Sequence, residues 1–449
     1  MSEPITLIQP EWIVPVEPAQ TVLRDHDIAL AGELIVELLP RAAGEERYPQ
    51  AQRVPLPGHL LTPGLVNLHT HASMALLRGV GDDMALKPWL EERIWPLEGR
   101  LMSREFVFDG AVLACDEMLR GGITCFNDMY FFPEAVADAA RALGMRASLG
   151  IIVVDFPSAY GSGAADYLHK GLELRDRLGD DRLMSFCLAP HAPYSVSDDN
   201  LRQVATLANE LGLPIHIHVH ETAQELTESV TRHGVRPLAR LDQLGLVGPD
   251  TIAVHAVHTS PAELDLMAQR GVSVAHCPHS NLKLGSGIAP APAWLERGIN
   301  VGLGTDGSAS NNRLDLLGEA RTAALLAKGS SGRADIWSAH QVLHSLTLAG
   351  ARALGLGERI GSLQAGKYAD LVAFDLRGNE LQPVYDPVSQ LIHAAGRAAV
   401  AEVWVAGRHV VHMRQAQTTY AEILIPEVVA RTRMWQNRVG DILSRNTVP

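Results

Sequence analysis

The chain has 449 residues, is 47% hydrophobic and carries a formal net charge of −13 with a pI near 5.8. A chain this long and apolar can bury a large core, and its acidic balance leaves no basic field for nucleic-acid phosphate or an anionic membrane surface. No apolar run reaches the ~18 residues of a membrane span.

In chain order, residues 1–60 alternate short β-like runs with turns: 5–8, 12–16, 27–30 and 34–38 are the expected strands of a small antiparallel sheet. From Gly64 to about Gly350 the style changes to apolar runs separated by helical stretches. The runs are 65–68, 123–127, 146–154, 183–189, 215–219, 251–255, 272–275 and 300–304, with helical patterns at 109–120, 133–143, 198–211 and 261–270. Continuous apolar runs are strands buried on both faces, and eight βα units closing on themselves make a (β/α)8 TIM barrel of ~250 residues or more. After residue 351 the β-rich style returns, with a hairpin expected across Ala406-Gly407-Arg408, and 425–444 is amphipathic and helical. The fold class is therefore α/β: a TIM barrel at 61–360, a small β-sandwich domain built from both chain ends (1–60 and 361–425), and a C-terminal helix at 426–449. The start, Met1-Ser2-Glu3-Pro4, lacks a secretory pattern, and Cys115, Cys125, Cys187 and Cys277 are scattered without a Cys-x-x-Cys, which points to reduced, buried thiols in a cytoplasmic protein.

A barrel assembles its site at the C-terminal ends of its strands, and the polar residues fall there. His69 and His71 close the first run; side chains at i and i+2 of a strand leave the same face, so both can address one cation. His191 follows the fourth run. His218, His220 and Glu221 close the fifth, His255 and His258 the sixth, His276 and His279 the seventh, and Asp306 follows the eighth. With His216 inside the fifth run, ten of the nineteen histidines occupy these short segments, which a random scatter would not give.

Three neutral imidazoles and a carboxylate suit zinc, and a hydrolytic site keeps one position open for water, whose pKa the metal lowers to ~7. Glu221, three residues past His218, is placed to carry protons beside the metal without binding it, and a carboxyl in a dry pocket has the raised pKa that this task needs. His216, His218 and His220 share one face if the strand continues, so period alone does not choose a ligand among them. Taken singly, each residue has an ordinary structural alternative: a hydrogen-bonded core histidine, a turn-capping Asp306, a helix-start Glu221.

Pro63-Gly64-Leu65-Val66-Asn67-Leu68-His69-Thr70-His71, His218-Val219-His220-Glu221, His255 and Gly304-Thr305-Asp306-Gly307 together resemble the amidohydrolase superfamily. Within it, Ser280-Asn281-Leu282-Lys283-Leu284-Gly285 and Asp306-Gly307-Ser308-Ala309-Ser310-Asn311-Asn312 look like the 5′-methylthioadenosine/S-adenosylhomocysteine deaminases and their chlorohydrolase relatives. The resemblance covers nearly the whole chain. It implies one zinc ion per subunit held by His69, His71, His218 and Asp306, which selects His218 from the histidine run. It implies that Glu221 protonates a ring nitrogen, that His255 orients the attacking hydroxide, that Asp306 helps to take its proton, and that Glu98 and His191 contact the nucleoside.

The expected activity is hydrolytic deamination of an adenine nucleoside, 5′-methylthioadenosine first, with S-adenosylhomocysteine or adenosine behind it. Members that accept S-adenosylhomocysteine can carry an Arg after the third strand; here 161–166 reads Gly-Ser-Gly-Ala-Ala-Asp, and a lost charge-assisted contact costs ~1.5–3 kcal/mol. Met74, Leu77, Trp89 and Ile94 are expected to lie over the sugar and its thioether. The rival activities on the same site are a guanine or 8-oxoguanine deaminase and a halotriazine hydrolase; a non-catalytic assembly protein would be expected to lack the ligands. A homo-oligomer that binds a small-molecule substrate, with no nucleic-acid or membrane partner, is expected.

Overall fold

The computed structural model describes residues 3–417 and 419–445. Eight parallel strands form one sheet in sequential order: β1 (Leu65–Thr70), β2 (Ile123–Asp128), β3 (Arg146–Val153), β4 (Met184–Pro190), β5 (Ile215–Val219), β6 (Thr251–His255), β7 (Ser273–His276) and β8 (Asn300–Leu303). All eight expected runs are strands, and helices lie between them. Residues of β1, β2, β3, β5 and β6 are buried throughout, as a sheet covered on both faces requires.

The last strand meets the first by close backbone approach. Asp306 N donates to His69 O (3.0 Å), and Asn67 reaches across the seam, accepting from Thr305 N (2.9 Å) and donating to Thr305 Oγ1 (2.8 Å). Gly304 makes this approach possible: a Cβ there would lie 2.9 Å from both His69 Cβ and Cys277 Sγ. The seam therefore sets the spacing between His69 and Asp306, two of the expected metal ligands.

Both chain ends build a second, nine-stranded sheet. Strand Leu371–Asp375 pairs antiparallel with Gln52–Pro63, which pairs with Ile5–Ile13. Ile35 and Trp404, from strands near opposite ends of the order, share one apolar core with Ile8, Ile28, Leu61 and Leu371, so the sheet folds over itself. Gly407 packs against the Gly32 carbonyl so closely that a Cβ would stand 1.9 Å from its oxygen. One pairing departs from the antiparallel expectation: Ile5–Ile13 runs parallel to Gln52–Pro63, because the crossover through helix Arg41–Arg47 returns the chain in the original direction. Pro55, Pro57 and Pro63 argue against a strand at 52–63. The structure accommodates Pro55 and Pro57 in the half paired with only one neighbour, Pro57 at a register irregularity.

A buried ion pair joins the two sheets: Arg146, first residue of β3, bonds Asp370 through Nε and Nη2 (2.9 and 3.1 Å). Removing one partner of such a pair typically costs ~3–5 kcal/mol. Helix Thr419–Arg445 starts earlier than the 425–444 periodicity implies, and residues 446–449 of the expected C-terminal helix lie outside the described residues. This helix docks on helix Arg104–Leu119 through buried Asp109, which accepts from Arg431 and from Trp435 Nε1 (2.9 Å). Among the described residues no helix is long and apolar enough to cross a membrane.

Candidate active site

Four side chains converge at the C-terminal mouth of the barrel. His69 lies on β1, His71 one residue past its end, His218 on β5, and Asp306 three residues past β8. His69 Nε2 and His71 Nε2 stand 3.2 and 3.3 Å from Asp306 Oδ1, and His218 Nε2 stands 3.3 Å from His69 Nε2. A tetrahedral zinc with bonds of ~2.0–2.1 Å to N and O donors has ligand–ligand edges of ~3.3–3.4 Å. The donor set and its spacing therefore fit a zinc ion.

The far nitrogens support the same assignment. His71 Nδ1 faces Met129 O (2.6 Å) and His218 Nδ1 faces His191 O (2.7 Å). A carbonyl accepts only, so each Nδ1 carries the proton and each Nε2 offers a lone pair to the centre. His69 Nδ1 instead meets His216 Nε2 (2.9 Å), an imidazole behind the ligand, and His216 Nδ1 has no hydrogen-bond partner among the described residues. Burial holds His69 down at about 4 and His218 well below its ordinary value, so both are neutral, as ligands must be. Burial alone would raise Asp306, but its close contact with His69 and the nearby His71 and His255 holds it well below the carboxylate range.

The turns at the strand ends are locally built. Asp128 accepts from Thr70 Oγ1 (2.9 Å) and Ala72 N (2.7 Å), pinning the segment that carries His71. Glu225 accepts from the backbone N–H groups of His220 (3.0 Å) and Glu221 (2.9 Å), holding the turn that presents Glu221. His255 (φ 68°) and Asp306 (φ 59°) both adopt left-handed backbone, strain of the kind that collects at functional sites.

His255 Nε2 lies 3.8 Å from Glu221 Oε1, and its Nδ1 meets Asn281 Oδ1 (2.8 Å). Ser280 Oγ donates to Asp306 Oδ2 (2.6 Å). Burial, reinforced by Asp306, lifts the Glu221 carboxyl to about 8. A cavity of about 570 Å³ opens above this centre and is lined by His71, Glu98, His191, His218, Glu221, His255 and Asp306. Glu98 accepts from Tyr130 Oη (2.7 Å), and burial lifts its carboxyl to about 7 against that hydrogen bond. His191 Nδ1 meets Ser195 Oγ (2.9 Å).

Every residue expected at the site lines this one cavity except His69, which lies beneath it as a candidate ligand. The remaining strand-end histidines do not reach it, whereas His233, at the end of helix Ala223–His233, also lines it. The strand ends at Val219, and His220 (φ 57°) turns away to accept from Leu238 N (3.1 Å). His258 meets Ser286 O, His279 pairs with Glu319, and His276 packs between Trp294 and Trp337. Of the apolar residues, Met74, Trp89 and Ile94 line the cavity and Leu77 does not. Residues 161–166 do not line it either, so the missing Arg there says nothing about this cavity. Its wall instead includes exposed Arg232, at the end of helix Ala223–His233, which has no ion-pair or hydrogen-bond partner among the described residues, and Arg240, which is held by Asp198, Pro193 O and Val196 O. The apolar wall runs along helical segments Leu86–Trp89, Leu90–Ile94 and Trp95–Leu101, the middle one a π turn. Such wider turns recur at functional sites.

Sequence reasoning missed Asn281, Tyr130, Glu225, Asp128 and the backing role of His216. Glu225 had a signal, the Thr222-x-x-Glu225 helix-start pattern. Tyr130 had none.

Residues 60–410 match the amidohydrolase family. A 5-methylthioadenosine/S-adenosylhomocysteine deaminase of Teredinibacter turnerae is 44% identical over 429 residues, 96% of either chain. The crystal structure of an adenosine deaminase from Xanthomonas campestris with bound zinc superposes with a TM-score of 0.95 at 48% identity, covering 98% of this chain and 100% of that one. An atrazine chlorohydrolase from Arthrobacter aurescens complexed with zinc shares the fold, with a TM-score of 0.85 at 25% identity over 96% of this chain and 99% of that one.

Proposed function

Because this chain belongs to the amidohydrolase family and is a metal-dependent hydrolytic deaminase, we propose that it uses zinc to deaminate an adenine nucleoside, 5′-methylthioadenosine before S-adenosylhomocysteine or adenosine, giving the inosine analogue and ammonia. The observation that carries this reading is Glu221, a buried carboxyl lifted to about 8, facing His255 above a donor set with zinc-sized edges.

His69, His71, His218 and Asp306 would hold the ion, which supplies a water acidified to a pKa of ~7. Glu221 is protonated at neutral pH and donates to ring nitrogen N1 as water adds to carbon six. His255, fixed by Asn281, orients that water, and Asp306, whose Oδ2 is held by Ser280, takes part in receiving its proton. The C6–N bond then breaks. The amine leaves as ammonia with one proton that came from water, the other stays on N1, and the ring keeps oxygen at C6, so C6–NH2, unprotonated N1 and H2O become C6=O, N1–H and NH3. Glu98, positioned by Tyr130, accepts from the sugar hydroxyls, and His191 contacts the nucleoside.

The apolar wall of Met74, Trp89, Ile94 and Trp95 supports an uncharged thioether substituent. Arg232 supports some acceptance of a carboxylate-bearing one. All four cysteines are free and buried, which fits a reducing, cytoplasmic setting. The test is steady-state kinetics with ammonia detection on methylthioadenosine, S-adenosylhomocysteine, adenosine and guanine, with chloride release from a halotriazine in parallel. A higher kcat/KM on guanine or the halotriazine overturns the proposal.

A further inference from the structure

The second sheet carries a cluster that this chemistry does not use. Glu402 lies on strand Val400–Val405, and His409 and His412 lie on strand Arg408–His412. Residues three apart on a regular strand face opposite sides, so the two histidines should diverge. They converge because the register slips between Val403 and Trp404: Glu402 pairs with His412 and Trp404 with His409, two steps on one strand against three on the other. Val410 is the extra residue, and Val410 and Val411 are both buried in succession. A bulge of this kind re-aims side chains and recurs beside sites.

The result is a three-donor cluster. His409 Nε2 stands 2.7 Å from Glu402 Oε2, and His412 Nδ1 stands 2.9 and 3.0 Å from Oε2 and Oε1. The His409 ring stacks on Trp404, with centroids 4.7 Å apart and planes 14° apart. The carboxylate is 8% exposed, whereas the His409 and His412 side chains are 37% and 50% exposed. The acid thus lies beneath two imidazoles that border solvent. Among the described residues no lysine or arginine pairs with Glu402. A nearly buried anion calls for a compensating positive charge.

We propose that Glu402, His409 and His412 form a second metal site that holds one divalent transition cation of the zinc, nickel or copper class. Two imidazole nitrogens and one carboxylate oxygen match the preferences of these ions, whereas calcium and magnesium require mainly oxygen ligands. On loading, each ring turns a lone pair to the ion and keeps its proton on the other nitrogen. The half-exposed rings have room to widen the cluster from hydrogen-bonding distance to coordination distance, and water fills the open positions. The ion cross-links the two strands of the hairpin. The site stands apart from the barrel mouth, so it does not depend on the reading of the reaction.

The test uses the purified holoenzyme, dialysed free of loosely held ions and titrated with Zn2+ by calorimetry, with metal content measured by elemental analysis. The expected result is uptake of Zn2+ beyond the tightly held ion. The H409A/H412A variant should lose that uptake while keeping the tightly held ion and an unchanged kcat/KM on the nucleoside. H412Q keeps a hydrogen-bonding amide beside Glu402 and should show the same loss if the double variant loosens the hairpin. No uptake beyond the tightly held ion in the wild type, or equal uptake in the variants, overturns the proposal.

Discussion

Glu221 Oε1 and His255 Nε2 face each other across 3.8 Å, carried in by the ends of adjacent barrel strands, β5 and β6. Among the described residues neither group pairs with a lysine or arginine, and burial, reinforced by the field of Asp306, governs the Glu221 proton. Replacing Glu221 by Gln removes the proton donor but keeps shape and polarity. The expected outcome is a fall in kcat of ~10²–10⁴, with metal content by elemental analysis unchanged. Turnover within a factor of two of wild type would remove Glu221 from the mechanism.

His216 backs His69 through the 2.9 Å contact at Nδ1. Groups that orient a metal ligand are worth ~10–100-fold in metal affinity or activity. The H216A variant should therefore release its metal to a competing chelator at ~10–100-fold lower chelator concentration than wild type. Stripping the metal from wild type should abolish ammonia release, and Zn2+ should restore it.

Burial lifts Glu98 to about 7 from an ordinary 4.5. Below pH 7 it is protonated in the folded protein and above pH 7 it is ionised. An ionised carboxylate is the better acceptor for sugar hydroxyls, so KM for the nucleoside should fall as pH rises from 6 to 8, and this trend should vanish in E98Q. The sign for stability is opposite. A raised folded pKa means that the native state binds the proton more tightly, so this contribution is complete below the unfolded pKa near 4.5 and is lost as pH rises through about 7. Denaturant melts of wild type and E98Q at pH 5 and pH 8 measure it.

Arg232 is an exposed guanidinium on the cavity wall, unpaired among the described residues. A charge-assisted bond contributes ~1.5–3 kcal/mol, and solvent screening at an exposed site reduces this towards ~1 kcal/mol. R232M should thus lower kcat/KM on S-adenosylhomocysteine by about fivefold and leave methylthioadenosine unchanged. An equal effect on both substrates would show that Arg232 does not meet the carboxylate.

The barrel was legible because each of its strands is an apolar run between helical patterns, and period and length are local properties of a chain. The candidate ligands were legible for a related reason: strand ends can be located from the runs, and His69, His71, His218, His255 and Asp306 sit at them. The strand at 52–63 was not legible, because three prolines speak against it and only the one-sided pairing of its first half reveals how Pro55 and Pro57 are tolerated. The choice among His216, His218 and His220 was also closed to the residues alone, since all three share a period. The structure separates them by where the strand stops: His218 reaches the centre, His216 backs His69, and His220 turns away at φ 57°.

The amino-acid order by itself determined which segments become strands and helices, which chemistry gathers at their ends, and which family the motifs resemble, because these depend on neighbours along the chain. Only the tertiary structure decided the distances. The 3.2 Å between His69 and Asp306 depends on a seam between residues more than two hundred positions apart, closed by Asn67, Thr305 and the missing Cβ of Gly304. The convergence of His409 and His412 depends on one unpaired residue in a hairpin. Contacts of that kind follow from how elements pack, and packing is set by the whole core at once rather than by any stretch of sequence within it.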